Sequence, residues 1–353
     1  MYKILAINPG STSTKVALYE DENKLVQKNL EHTPEELGTG PIPSQKSYRM
    51  GKILEFLAEN NVKVTDLAVV VGRGGILPPV KSGAYLVDAT LIDVLTDRPV
   101  APHASNLGGL IAADIAKQAG VNAYIYDSIA VDELSEMAHL SGTPLITRTS
   151  HFHALNSRAC AMYIANKLGR RYEEMNFIVV HMGGGISSSA HCRGVVIDIN
   201  CDDEGTFSPQ RAGRVNGREL VDLCYSGRFS HKEMQKQLRG NGGVMAYLGT
   251  DDMRKAYDML VAGDSFAETV YNAMAYQIAK DIGNLATTMY GKVDRIILTG
   301  SIAYSDVFND LIRERVEWIA PVEVIPGEKE MDALAGGALR VLRGEEQFHV
   351  FKE

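Results

Sequence analysis

Residues Asn8 to Lys15, Asn-Pro-Gly-Ser-Thr-Ser-Thr-Lys, place one glycine, four hydroxyl side chains and one lysine in eight consecutive positions. Backbone N–H groups freed by a turn, hydroxyl donors and a single cation suit an anion, and a phosphate in particular. Asn8, Ser11, Ser13 and Lys15 are therefore candidate phosphate ligands. The segment is not a Walker A loop: GxxxxGK[ST] is absent, and an apolar strand-like run, Val16 to Tyr19, follows where a helix would stand. Taken alone, such a turn is as readily an ordinary polar hairpin. A second turn of the same kind, His181-Met182-Gly183-Gly184-Gly185, weighs against that. Gly183, Gly184 and Gly185 let backbone approach a phosphate with no Cβ in the way. His181 by itself reads as a satisfied core histidine; standing where Asn8 stands in the first hairpin, it offers a ring nitrogen to a phosphoryl oxygen. Two such turns facing each other could grip a triphosphate from both sides.

Two further segments carry chemistry less specifically. Thr299-Gly300-Ser301-Ile302-Ala303 ends an apolar run in small residues, against which a flat adenine or ribose could lie, although tight strand–helix packing explains them as well. Asp251-Asp252-Met253-Arg254 opens a helical stretch, where acidic residues also complement the helix dipole.

The elements that must position these residues come in pairs. Each turn joins two strand-like runs, Ile4 to Ile7 with Val16 to Tyr19, and Phe177 to Val180 with Ser187 to Ile199, the latter broken by a turn at Arg193-Gly194. Leu67 to Gly75 matches Arg295 to Ala303, and Ala123 to Asp127 matches Val322 to Pro326. Apolar residues at three- and four-residue spacing predict helices over Ser47 to Asn60, Ala104 to Ala119, His151 to Leu168, Phe266 to Tyr290 and Met331 to Arg343. Thr149 or Ser150 is expected to cap the third, and Gly120 and Gly169 to end two. Spacings differ between the halves, so the pattern is a diverged duplication: two α/β domains, each a mixed sheet with helices on both faces. The expected boundaries are residues 1–148 plus about 331–353 for one domain, with the first hairpin, and 149–330 for the other, with the second.

Composition is that of a globular protein: 353 residues, 45% hydrophobic and 23% charged. A net charge of −8 disfavours nonspecific binding to nucleic acid or anionic membranes. No signal peptide precedes Met1 to Leu5, and no apolar run approaches the roughly 20 residues that span a bilayer, so a cytoplasmic location is expected. Cys160, Cys192, Cys201 and Cys224 form no CxxC pair and are expected to be reduced and buried.

The order of five segments resembles the acetokinase family, in the branch that acts on butanoate. They are Ile7 to Lys15, Val180 to Ser187, Phe207-Ser-Pro-Gln-Arg-Ala-Gly213, Tyr247-Leu-Gly-Thr-Asp-Asp252, and Pro326 to Glu346, and together they extend over essentially the whole chain. The resemblance implies a duplicated actin-like ATPase (ribonuclease H-like) fold with ligands in an interdomain cleft. It further implies ATP and Mg²⁺ as cofactors and direct phosphoryl transfer, ATP and butanoate giving ADP and butanoyl phosphate. Acetate, propionate or a branched acid stays open as substrate. From another class, an actin-like nucleotide switch or filament subunit stays open too. The expected partners are a small carboxylic acid and further copies of the chain, in a homodimer or higher homo-oligomer.

Carried over residue by residue, the resemblance gives Arg73 the substrate carboxylate and Asp127 a place near the transferring phosphate. Arg211 is to neutralise the transition state, with Arg214 and Arg218 competing for that part. Asn8 with Glu328, or Glu330 in its stead, is to position the metal through water. Asp252 and Arg254 border adenine, over Gly300 to Ala303, and His103 to Gly108 matches a segment beside the acyl pocket, where helix capping by Ser105 or Asn106 is the plainer explanation. One departure stands out. Where acetate kinases have His-Gly-Thr-Ser-His, this chain has Thr147-Arg148-Thr149-Ser150-His151. The first histidine is missing, and His151, His153 or neither replaces it. A fatty acid is already ionised at neutral pH, since a carboxyl titrates near ~4. No general base is required, and positioning and positive charge must carry the catalysis.

Overall fold

The computed structural model describes residues 1–352. The chain separates into two compact units, Met1–Asp132 with the segment from Lys329 onward, and Glu133–Glu328.

The first unit contains strands β1 (Lys3–Pro9), β2 (Ser13–Glu20), β3 (Asn23–Glu31), β4 (Val69–Arg73), β5 (Ala84–Leu86) and β6 (Ala123–Tyr126). With a short last strand, His349–Val350, they form one sheet in the order His349–Val350, β5, β6, β4, β1, β2, β3. β1, β2 and β3 make an antiparallel meander, β4 lies parallel to β1, and β6 parallel to β4. Ile125 touches Gly109 of helix Asn106–Ala119, while the next residue, Tyr126, meets Gly337 of helix Glu330–Leu342. Successive strand residues point to opposite faces, so these helices cover the two sides of the sheet.

The second unit contains β7 (Asn176–Met182), β8 (Ile186–Cys192), β9 (Val195–Asn200), β10 (Arg295–Gly300) and β11 (Val322–Pro326), in the order β11, β10, β7, β8, β9. Again the first three strands form an antiparallel meander, and the next two run parallel to its first strand. Ile178, Val180, Ile296 and Leu298 pack on helices Ser265–Thr288 and Asp306–Val316. The alternate residues Phe177, Val179 and Ile297 pack on helix Ala154–Lys167. The series β3-β2-β1-β4-β6 and β9-β8-β7-β10-β11 have the same order and directions, which is the duplication read from the sequence.

The two hairpins also correspond in register. Pro9 pairs with Thr14 and Asn8 with Lys15; Met182 pairs with Ile186 and His181 with Ser187. His181 and Asn8 are therefore equivalent positions, one pair back from the turn.

Helix starts depart from expectation. Helix Ala154–Lys167 begins at His153, with no side-chain cap. Thr149 instead places its hydroxyl 3.2 Å from His151 Nδ1, and Ser150 is buried. The start is fixed by tertiary contact, because Ser187 Oγ on β8 accepts from the His153 backbone N–H at 3.4 Å and lies 2.8 Å from His153 Nδ1. All four cysteines are free, but Cys224 is exposed: its helix, Gly217–Tyr225, has no buried residue.

Candidate active site

In the first unit the hairpin turn is closed by Gly10 N–H donating to Ser13 O at 2.8 Å. Ser11 is exposed, Ser13 and Lys15 are half-buried, and Asn8 is buried beneath them. Asn8 Nδ2 donates to Glu330 Oε2 at 2.6 Å, and Arg73 Nη1 lies 3.2 Å from Glu330 Oε1. The end of β1, the end of β4 and the first turn of helix Glu330–Leu342 thus bring Asn8, Arg73 and Glu330 together. Glu330 is buried, whereas Glu328, on the second unit, is exposed.

Arg73 owes its place to glycines. A Cβ at Gly72 would strike the Gly108 carbonyl, one at Gly74 would come within 2.6 Å of Ser128, and one at Gly75 would meet Asn106. β4 therefore lies directly on helix Asn106–Ala119. Asn106 does not cap that helix; its amide ties two loops, accepting from Ile76 N–H at 2.8 Å and donating to Ala101 O at 3.0 Å. Ser105 leaves the helix uncapped as well, with its Oγ 2.8 Å from His103 Nδ1. Desolvation of the ring, and then the Arg73 guanidinium, hold the His103 imidazole pKa below its ordinary value. Asp127 is buried just past β6 at φ 39°, a left-handed conformation uncommon for a residue with a side chain. Its backbone N–H donates to Gly83 O at 3.1 Å, and its Oδ1 accepts from Gly83 N–H at 2.8 Å.

In the second unit His181 is buried, stacked on His153 with ring centroids 3.8 Å apart. Asn156 Nδ2 lies 3.0 Å from His181 Nδ1. An amide N–H only donates, so Nδ1 is the acceptor and Nε2 carries the ring hydrogen. That Nε2 lies 3.4 Å from where a Cβ of Gly183 would be, so the donor faces the glycine turn. Gly185 makes room for a side chain instead, since a Cβ there would strike the guanidinium of Arg211. Arg211 pairs with Asp202, which also receives Arg239 Nη2 at 3.3 Å; burial and then Arg239 pull the Arg211 pKa down. Arg214 is engaged elsewhere, on Asp281 Oδ1 at 2.9 Å and Glu204 O at 2.9 Å. Arg218 is exposed on the first turn of its helix. His151 is exposed; of the two histidines weighed as replacements, His153 is the one next to the turn.

A cavity of about 650 Å³ opens beside this turn. Gly183, Gly184, Asp252, Arg254, Ser301 and Ile302 line it, joined by Tyr257, Tyr271 and Tyr304. Gly300 and Ala303 stand behind the wall. Gly300 has φ 93°, and a Cβ there would strike the Met182 carbonyl, so its smallness serves contact between β10 and β7. Asp252 caps helix Met253–Val261 and accepts from the Arg254 backbone N–H and Nε, both at 3.0 Å, and from Nη2 at 2.8 Å. Those bonds from Arg254 hold the Asp252 carboxyl at about 2. The guanidinium so fixed presents a flat, exposed face suited to stacking on an aromatic base.

Several residues of these sites escape a motif search. Asn156, Tyr257 and Tyr271 lie on helices, and Asp202 and Arg239 in loops outside the turns, so the packing of these elements and not a local motif brings them in. Thr147 stands where the family histidine is missing, and its neighbour Arg148 is a tether: it holds Glu204 at 2.9 Å, Asp198 at 3.1 Å and the Ala138 carbonyl at 2.7 Å.

Two glycine-turn hairpins on duplicated sheets, with Arg73 at the end of β4 in one unit and Arg211 against Gly185 in the other, define the class as the duplicated ATPase fold. The solved acetate kinase of Porphyromonas gingivalis superposes with a TM-score of 0.80 at 18% identity, over 97% of this chain and 100% of that one. The propionate kinase of Francisella tularensis does so at 0.73 and 18%, over 95% and 99%. The chain belongs to the acetokinase family, whose sequence pattern matches residues 136–318. It is 46% identical to butyrate kinase 1 of Clostridium acetobutylicum over the full length of both chains, and 46% identical to a probable butyrate kinase of Clostridium botulinum over 99% of each.

Proposed function

We propose that this protein transfers the γ-phosphoryl group of ATP to butanoate, giving butanoyl phosphate and ADP. The observation that carries the proposal is the 46% identity, end to end, to proteins named butyrate kinase. In this reading Arg73 holds the acid, its fork shared between Glu330 and the substrate carboxylate. Ser11, Ser13, Lys15, the glycines 183–185 and the Nε2–H of His181 take the phosphates. Asp252, Arg254, Ser301 and Ile302 take the nucleoside, Ser301 and Ile302 backed by Gly300 and Ala303. Arg211 is the arginine for charge developing on the transferring group, since its guanidinium lies against Gly185 of the turn, although it shares Asp202 with Arg239, while Arg214 is held on Asp281 and the Glu204 carbonyl.

The reacting oxygen is already anionic, so no residue has to remove a proton from it. Asp127 accordingly serves orientation, with its carboxylate fixed by the Gly83 backbone. A divalent cation fits the chemistry of the donor set, and we propose Mg²⁺. The described residues contain no cluster of three or more His, Cys, Asp or Glu able to cage a metal. The buried Glu330 carboxylate and the Asn8 amide oxygen, with Glu328 as an outer carboxylate, are the sparse, water-completed set that Mg²⁺ prefers beside phosphates. When bound, the ion neutralises phosphate charge and helps align the chain of phosphates. Because the reaction draws on ATP, we place it in the cytoplasm.

The test is acyl phosphate formation, trapped with hydroxylamine, from Mg-ATP and a series of acids from acetate to valerate including isobutyrate. Butanoate should give the highest kcat/KM, with neighbouring acids within about 10- to 200-fold, as one methylene is worth roughly 1 to 3 kcal/mol. No hydroxamate from any acid sinks the proposal; a clear maximum at acetate or isobutyrate moves the substrate.

A further inference from the structure

Helix Lys46–Glu59 has Arg49, Ile53, Phe56 and Leu57 on its buried side. Arg49 is 0% exposed, yet every hydrogen-bond partner recorded for it is a neutral oxygen. Nη1 donates to Gly10 O at 2.9 Å, Ser13 O at 2.9 Å and Thr14 Oγ1 at 3.0 Å. Nη2 donates to Ser11 O at 3.1 Å and Gln45 Oε1 at 3.0 Å, and Nε to Gln45 Oε1 at 3.2 Å. The remaining carbonyl of the turn, that of Thr12, accepts from His32 N–H at 2.9 Å.

The carbonyls of Gly10, Ser11 and Ser13 are thereby drawn toward Arg49, while that of Thr12 turns to the segment that follows β3. In a planar trans peptide the C=O of one residue and the N–H of the next point in opposite directions. Fixing the carbonyls of Gly10 and Ser11 on Arg49 therefore turns the N–H groups of Ser11 and Thr12 away from it, toward the side where an anion would sit. Such a run of outward N–H groups is a concave anion site. The charge behind it has no carboxylate among its recorded partners, and a guanidinium stays protonated. Its field in a buried setting falls on the same side.

We infer that Arg49 is a positioning residue that shapes and charges the first hairpin as a phosphate-binding turn, from behind and without touching the ligand. This rests on the reading that nucleotide phosphates bind at Ser11 to Lys15. The experiment measures binding of ATP and of adenosine to the full chain by calorimetry, in wild type, Arg49→Met, Arg49→Lys and Gln45→Leu. Expected are a loss of at least tenfold in ATP affinity for Arg49→Met with adenosine affinity within twofold, and a smaller loss for Arg49→Lys, which keeps the charge and loses the fork. An unchanged ratio of ATP to adenosine affinity in Arg49→Met overturns the inference, as does equal weakening of both ligands. If Arg49→Met fails to fold, Gln45→Leu decides: it removes one acceptor of the fork and leaves the buried charge. A selective loss for ATP of severalfold supports the inference, and an unchanged ratio overturns it. Should wild type bind ATP no better than adenosine, the phosphate reading itself falls, an outcome distinguishable from the others because it appears before any substitution.

Discussion

Arg73 differs from the surface arginines of this chain in what its pairing leaves free. One Nη1 meets a buried carboxylate, while the side chain is still 26% exposed, so part of the fork remains for an incoming anion. Replacing it by alanine removes a charge-assisted bond to the acid, a class of interaction worth roughly 1.5 to 3 kcal/mol. Arg73→Ala should accordingly lower kcat/KM for butanoate by about 10- to 150-fold, with the change in KM and kcat within about threefold. Arg73→Lys should restore little, because a point charge cannot serve Glu330 and a second carboxylate together. An unaltered KM in Arg73→Ala would remove the residue from the acid site. Arg73 and Asp127 become candidates in the sequence only through the family resemblance. Arg49 is within reach of periodicity, standing at i with Ile53 at i+4 and Phe56 at i+7, but a search for apolar stripes passes over an arginine in the stripe. The left-handed φ of Asp127 and the tautomer of His181 have no local signal, for both are imposed by partners, Gly83 and Asn156, far along the chain.

Strands and long helices are legible where burial on one or both faces imposes their periodicity; β3, which has no buried residue, carries no such signal. Helix starts are not legible where a neighbouring strand sets them: Ser187 on β8 fixes the beginning of helix Ala154–Lys167 at His153, past the capping residue Ser150. The same strand carries a titratable group with a measurable consequence. His191 is fully buried, between Tyr172 Oη at 2.7 Å from Nδ1 and Ser189 Oγ at 2.8 Å from Nε2. Burial, and then Arg158, push its pKa down to about 3. A histidine in the unfolded chain titrates near ~6.5, so below that pH the unfolded state binds the proton that the folded state refuses, and stability falls as pH falls toward the folded value. Between pH 7 and pH 5 the loss from this one group is about 2 kcal/mol. Urea unfolding of His191→Gln, compared with wild type across that interval, should show the pH slope reduced by this amount. Parallel slopes would mean that the imidazole is hydrated or protonated in the folded state.

Duplication is legible at the level of the whole chain because it repeats a sequence of element types, which survives when residue identities do not. Each copy buries its own sheet between its own helices, and a unit with its own core opens and closes its surface segments independently of another core. Ligand protection should then be separable. The cavity proposed for the nucleoside is lined entirely by residues between Gly183 and Ser305, all of the second unit. The residues proposed for the acid, Arg73 with His103 and Asn106 nearby, belong to the first. In hydrogen exchange, adenosine at saturation should slow amides in segments 183–185, 251–258 and 301–305 and leave 72–76 and 103–108 at their free rates. Butanoate should produce the reverse pattern. The expected slowing is about RT ln(1 + [L]/Kd) for whatever openings expose the site, or roughly 30-fold at thirty times Kd. Protection of 72–76 by adenosine would move the nucleoside to the first unit and, with it, the acid role of Arg73. Protection of both segment sets by either ligand alone would mean that one ligand orders both units, so that the duplication no longer divides the two substrates between its copies.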